Sequence, residues 1–201
     1  MAQCVLSKEQ QVRILNLIAM ACVVLANTAN AQTMDGQAMD HQNMDHAAHM
    51  KMMAQAQRQA EVSRLGKDVM PFSLMATTHI FSKNETGGVQ QVLSKVAGDE
   101  SQVALIRQHL HDIQSQFLKG DFSGPSHIHG QAMPGLSELK AAKAGQIAIV
   151  YRDVKDGAEL TYQTSDAKLV AALHQWFDAQ LSDHGKDAME GHAHTDGAKM
   201  Q

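Results

Sequence analysis

An α+β fold is predicted for residues 67–185: two ββα units forming a four-stranded antiparallel sheet with helices packed on it, flanked by disordered Met/His-rich arms. Three observations predict it. The order strand, strand, helix occurs twice along the chain. Both helices have apolar residues recurring at 3.6-residue spacing, and both hairpins turn on Gly-containing polar segments. The helices also align on each other, Leu105 with Leu169, Ile106 with Val170, Ile113 with Phe177 and Phe117 with Leu181.

The first strand is expected over residues 72–83, rich in Phe, Thr and Ile, and the turn Asn84-Glu85-Thr86-Gly87-Gly88 leads to a return strand over 89–96. Asp99, Glu100 and Ser101 open a helix reaching about Leu118, with Leu105, Ile106, Leu110, Ile113 and Phe117 on its apolar side; Gly120 ends it. A loop containing Gly124-Pro125 and Met133-Pro134-Gly135 leads to a short helix over 136–142. The second hairpin, 146–154 and 158–164, turns at Lys155-Asp156-Gly157. Ser165 or Asp166 caps the last helix, whose apolar side is Leu169, Val170, Leu173, Trp176, Phe177 and Leu181.

Residues 1–31 read as a secretory signal peptide. Lys8 and Arg13 make a positive start, an apolar run follows over 14–26, and Ala29-Asn30-Ala31 has the small-x-small cleavage pattern. The run is shorter than the ~20 apolar residues that cross a bilayer, so a periplasmic chain cleaved near Ala31, with no integral membrane segment, is expected. Both cysteines, Cys4 and Cys22, fall inside that signal, so any soft metal ligand of the mature chain is a thioether rather than an oxidisable thiol. The formal net charge is −4, which argues against a nucleic-acid partner.

Residues 32–66 form the first arm, polar and disordered to about 45, then helical from 47 to 65 with Gly66 as the stop. Residues 34–38, 39–43 and 44–48 read Met-Asp-Gly-Gln-Ala, Met-Asp-His-Gln-Asn and Met-Asp-His-Ala-Ala, and His49, Met50, Met52 and Met53 follow. Thioether and imidazole repeated every few residues make a ligand set for a soft monovalent ion: Cu(I), with Ag(I) as its mimic and Cu(II) as the alternative oxidation state. The candidate ligands are Met34, Met39, His41, Met44, His46, His49, Met50 and Met53. On a helix His46, His49, Met50 and Met53 share one face; the alternative is a methionine stripe used for packing. Residues 186–201 form a second arm with Met189, His192, His194 and Met200.

In the body, His127 and His129 are alternate residues, which in an extended segment point the same way, and Met133 is placed to close a third position. His79 shares a strand face with Thr77 and Phe81, either aimed at the interior near that loop or satisfied by a core hydrogen bond. His109 lies on or beside the apolar face of its helix as a buried neutral histidine, and His111 faces solvent. His174 is four residues before Asp178, a surface pairing. Asp183-His184 resembles the arm sequences and could hold metal from the other end. Nucleophile elbows, cysteine nucleophiles, zinc helices and phosphate loops are absent from the sequence. A metal-dependent enzyme built on His79, His127 and His129 is the alternative to a binding protein.

Residues 34–53 resemble the Met-Asp-His-x-x-Met repeats of exported bacterial copper-resistance proteins. That resemblance implies copper as the ligand and a copper efflux or resistance protein as a partner. Residues 69–185 resemble a family of small uncharacterised exported proteobacterial proteins, through Thr-Thr-His-Ile-Phe (77–81), Gly-Gly-Val-Gln (87–90), Gly-Asp-Phe (120–122), Ile-His-Gly (128–130), Met-Pro-Gly-Leu (133–136) and Trp-Phe-Asp-Ala-Gln-Leu (176–181). The aspartate carbamoyltransferase name carried by some relatives is unsupported: the Ser-Thr-Arg-Thr phosphate loop of those enzymes is absent, as is length for their two domains.

Overall fold

A computed structural model describes residues 38–191, with side chains from Asp45 onward. The chain divides into two compact units, Met1–Ala48 and His49–Gln201. The first helix, α1, spans Ala38–Gly66, so it begins ahead of the expected residue 47 and ends on the predicted Gly66. In the second unit its C-terminal half packs on the domain, with Val62 fully buried.

The domain is α+β, and its sheet has five strands rather than four: β1 Thr77–Asn84, β2 Gly87–Ser94, β3 Ala148–Val154, β4 Gly157–Gln163 and β5 Ala188–Glu190. Their order is β3-β4-β2-β1-β5. The first four are antiparallel, as expected, and β5 joins parallel to β1, with His79 opposite Ala188, so the sheet is mixed. This fifth strand lies in the segment read as a polar arm. The first strand is shorter than predicted, because Leu74–Ala76 form a 3-10 turn ahead of it.

Helix α2, Glu100–Phe117, follows the first hairpin and packs on β3 and β4. Asp99 caps it by accepting from the Gln102 backbone N–H at 3.2 Å. Its buried side is Val103, Ile106, Leu110, Ile113 and Phe117; Leu105, expected there, is 37% exposed. The alternating three- and four-residue steps of that stripe put Val103 inward and turn Leu105 outward. Helix α5, Ala167–His184, follows the second hairpin and packs back on β1 and β2, capped by Asp166. Each hairpin is therefore covered by the helix that follows the other.

Two short helices join these elements: α3, Ser123–His129, and α4, Leu136–Ala141. The first replaces the expected loop. Gly135 precedes α4 at φ +75°, and a Cβ there would lie 2.1 Å from the Ala172 carbonyl oxygen of α5. Gly135→Ala is expected to cost about 3 kcal/mol or more, since left-handed strain adds to a backbone clash. Gly120→Ala, also at positive φ but with nothing within 4 Å, is expected to cost about 1 kcal/mol. Equal losses in urea unfolding for the two variants would remove the close-approach argument.

Candidate metal centre

The inner face of β1 is Thr77, His79 and Phe81, all buried, because alternate residues of a strand point to one side. His79 opposes Val92 across the hairpin and lies under α2 and α5. A cavity of about 50 Å³ opens beside it, lined by His79, His109, His129 and His184 together with Gln90 and Gln180. Trp176 also lines it. The Nε2 of His79 and the Nε1 of Trp176 are buried with no hydrogen-bond partner. The satisfied core histidine expected at position 79 is therefore not what the fold provides.

His129 is the most firmly positioned of the four. Its Nδ1–H donates to Asp183 Oδ2 at 2.8 Å. Arg58 reaches over from α1, its Nε donating to Asp183 Oδ1 at 3.0 Å and its Nη2 to Oδ2 at 2.6 Å. The same Nη2 donates to the His129 carbonyl at 2.8 Å. Burial works against ionisation of Asp183, but the bonds from His129 and Arg58 overcome it and hold the carboxyl down at about 2. Asp183 is thus an anion, and the Nδ1 proton of His129 is committed to it. Nε2 is the ring nitrogen outside that bond.

The other three histidines are held neutral. Burial pushes His184 down to about 3, with neighbouring His129 adding to the effect, and pushes His109 down to about 4. His79 is driven well below the usual range by burial, then by His184 and the other histidines around it. The His184 ring stacks on His79 with centroids 5.0 Å apart and meets His129 edge-on at 5.1 Å. His184 Nε2 bonds to Gln180 Oε1 at 3.1 Å, one helical turn back. Neutral imidazoles are metal ligands, but among the described residues no three His, Cys, Asp or Glu side chains already stand around a common ion position.

The sequence-predicted residues are distributed unevenly around this centre. His79 and His129 share the cavity. His129 and Met133 border a second, outer groove of about 550 Å³ with Arg58 and Asp183. His127 does not join them. Because α3 is helical, residues two apart point roughly 200° from each other; His127 is exposed and bonds to Asp68 Oδ2 at 3.1 Å, while His129 turns inward. His174 does not pair with Asp178 either. Its Nε2 bonds to the carbonyls of Asn84 and Gly87 at the β1–β2 turn, and Asp178 meets Lys83. His111 is exposed, as expected.

On α1, His46, His49, Met50, Met52 and Met53 are all exposed. Met39, His41 and Met44 lie on the helical backbone ahead of the described side chains. Residues 1–31, read above as a signal peptide, and Met34, His192, His194 and Met200 lie outside the described residues. Among the described residues no helix is long and apolar enough to cross a membrane. Comparison with protein-family models, with curated proteins and with solved structures finds no match to this chain.

Proposed function

We propose that this is a periplasmic copper-binding protein for metal resistance or trafficking, whose Met/His arm captures Cu(I) and, as its mimic, Ag(I). The observation that carries the reading is the exposure of Met50, Met52 and Met53 at 55%, 65% and 57% on a helix whose later turns are packed. A methionine stripe used for packing would be covered; these thioethers stand in solvent together with His49, where a soft ion can reach them. The leader-like residues 1–31 support export, and a copper efflux or resistance protein is the partner such a carrier would serve.

The test is a competition titration of the exported chain with a Cu(I) chelator. Loss of most Cu(I) equivalents is expected in a variant lacking residues 32–53, and retention of nearly all of them would refute the role of the arm. One observation favours the enzyme alternative: the His129–Asp183 pair has the arrangement of a general base and borders the outer groove. The interior cavity is too small for an organic substrate, which on the usual scale needs about 300 Å³ or more, so catalysis would have to occur in that groove.

A further inference from the structure

Three imidazoles reach the cavity wall from three separate elements: His79 from β1, His129 from the end of α3 and His184 from the end of α5. The centroids of His184 lie 5.0 Å from His79 and 5.1 Å from His129. Imidazoles sharing one ion at N–metal distances of about 2.0–2.1 Å have ring centres roughly 5 Å apart. For these two pairs the spacing is that of ligands to a common ion. The ring planes are not turned to it, since His79 and His184 are within 21° of parallel. Rotation of the His79 ring about its terminal torsion, with His129 kept on Asp183 and His184 on Gln180, is the change that convergence requires.

The side chains are short of partners in the way a ligand would satisfy. A buried unpaired nitrogen such as His79 Nε2 costs about 1–3 kcal/mol, and donation of its lone pair to a cation offsets that. His129 has its Nδ1–H on a carboxylate, the arrangement that orients and strengthens a metal-bound imidazole. With Nε2–H of His184 given to Gln180, its Nδ1 is the free lone pair. A volume of about 50 Å³ exceeds what one water needs, so an ion has room.

We propose that His79, His129 and His184 form an internal three-nitrogen site for a divalent first-row ion, Cu(II) foremost, with Asp183 and Arg58 as positioning residues. The donor set contains no sulfur, so it differs in kind from the arm, and the affinity order of divalent ions puts Cu(II) first. The site does not depend on the arm and stands even if the arm binds nothing.

The experiment uses the full exported chain with every Met and His of residues 34–53 changed to Gln, titrated with Cu(II) and read by electron paramagnetic resonance. A single tightly held equivalent with nitrogen hyperfine structure is expected. His79→Ala and His184→Ala are each expected to lower its affinity at least ~100-fold, and Asp183→Asn to lower it about 10- to 100-fold while keeping the nitrogen signature. No bound Cu(II) in the arm-substituted chain, or unchanged binding in His79→Ala, overturns the site. Should the alanine variants unfold, the unaltered chain decides: substoichiometric Cu(II) should broaden the imidazole resonances of His79, His129 and His184 ahead of those of His111 and His174. The reverse order overturns the site. Failure of the arm is read with Cu(I) and a different variant, so the two outcomes stay distinct.

Discussion

Stripped of metal and taken from pH 7 to about pH 4.5, the domain is expected to lose most of its stability. His79 and His184 are buried, His109 is half-buried, and all three are neutral, with folded values lowered from 6.5: His109 to about 4, His184 to about 3, His79 well below. The unfolded chain takes up these protons first, so the stability is complete above about pH 6.5 and falls as the pH drops from there. Each histidine contributes a slope of at most about 1.4 kcal/mol per pH unit until its folded value is reached. Three together approach about 4 kcal/mol per unit, and over two units that rivals the ~5–15 kcal/mol of an ordinary domain. Asp183 acts lower: its folded value of about 2 lies below the usual 3.8, so its contribution is held above about 3.8 and lost only as the pH falls towards 2. Urea midpoints at several pH values test the slope, and His109→Leu should flatten it. Midpoints that do not move between pH 7 and pH 5 would show that the buried histidines are not held neutral.

Asp183→Ala is expected to destabilise the chain by about 3 kcal/mol at pH 7. The carboxylate side chain is only 12% exposed and accepts from both His129 and Arg58. Removing one member of a buried charged network leaves the others unsatisfied, which typically costs about 3–5 kcal/mol. The 37% exposure of the Arg58 side chain lets water take up part of that loss and sets the lower figure. Asp183→Asn keeps the shape and one acceptor oxygen but loses the charge, and should fall between wild type and alanine. A loss below about 1 kcal/mol in Asp183→Ala would mean that the network is solvated and does not fix His129.

The two long helices of the domain were legible because their apolar stripes and aspartate caps are local signals, and the hairpins because Gly-bearing turns separate Val-, Thr- and Ile-containing runs. The fifth strand was not. Ala188-Met189-Glu190 is too short to show a period of two, and only its pairing with β1 makes it a strand. Helix α3 was hidden by Gly124 and Pro125, which read as loop, although proline is tolerated within the first turn, where its missing N–H has no helical partner. An extended loop would bring His127 and His129 to one side; the helix separates them.

Asp183-His184 resembles the arm sequences, yet a signal for the burial of His184 was present. Leu169, Leu173, Trp176, Phe177, Gln180 and His184 continue one helical stripe, and the last two are polar where the pattern demands apolar residues. Polar side chains on a buried stripe are the informative kind. Arg58 had no such mark: it sits in a polar helix, and only the tertiary fold brings it to Asp183, 125 positions away.

The three residues of β5 also determine how the sheet meets other molecules. A strand that ends a sheet offers unpaired amides and carbonyls to any extended chain nearby. At one margin Arg152 and Asp153 of β3 supply charge against such pairing. At the other, the polypeptide's own segment beyond its last helix lies along β1 and takes the hydrogen bonds a stranger would otherwise use. Trimming or fusing the chain there alters the sheet itself, and with it the protection against edge-to-edge association.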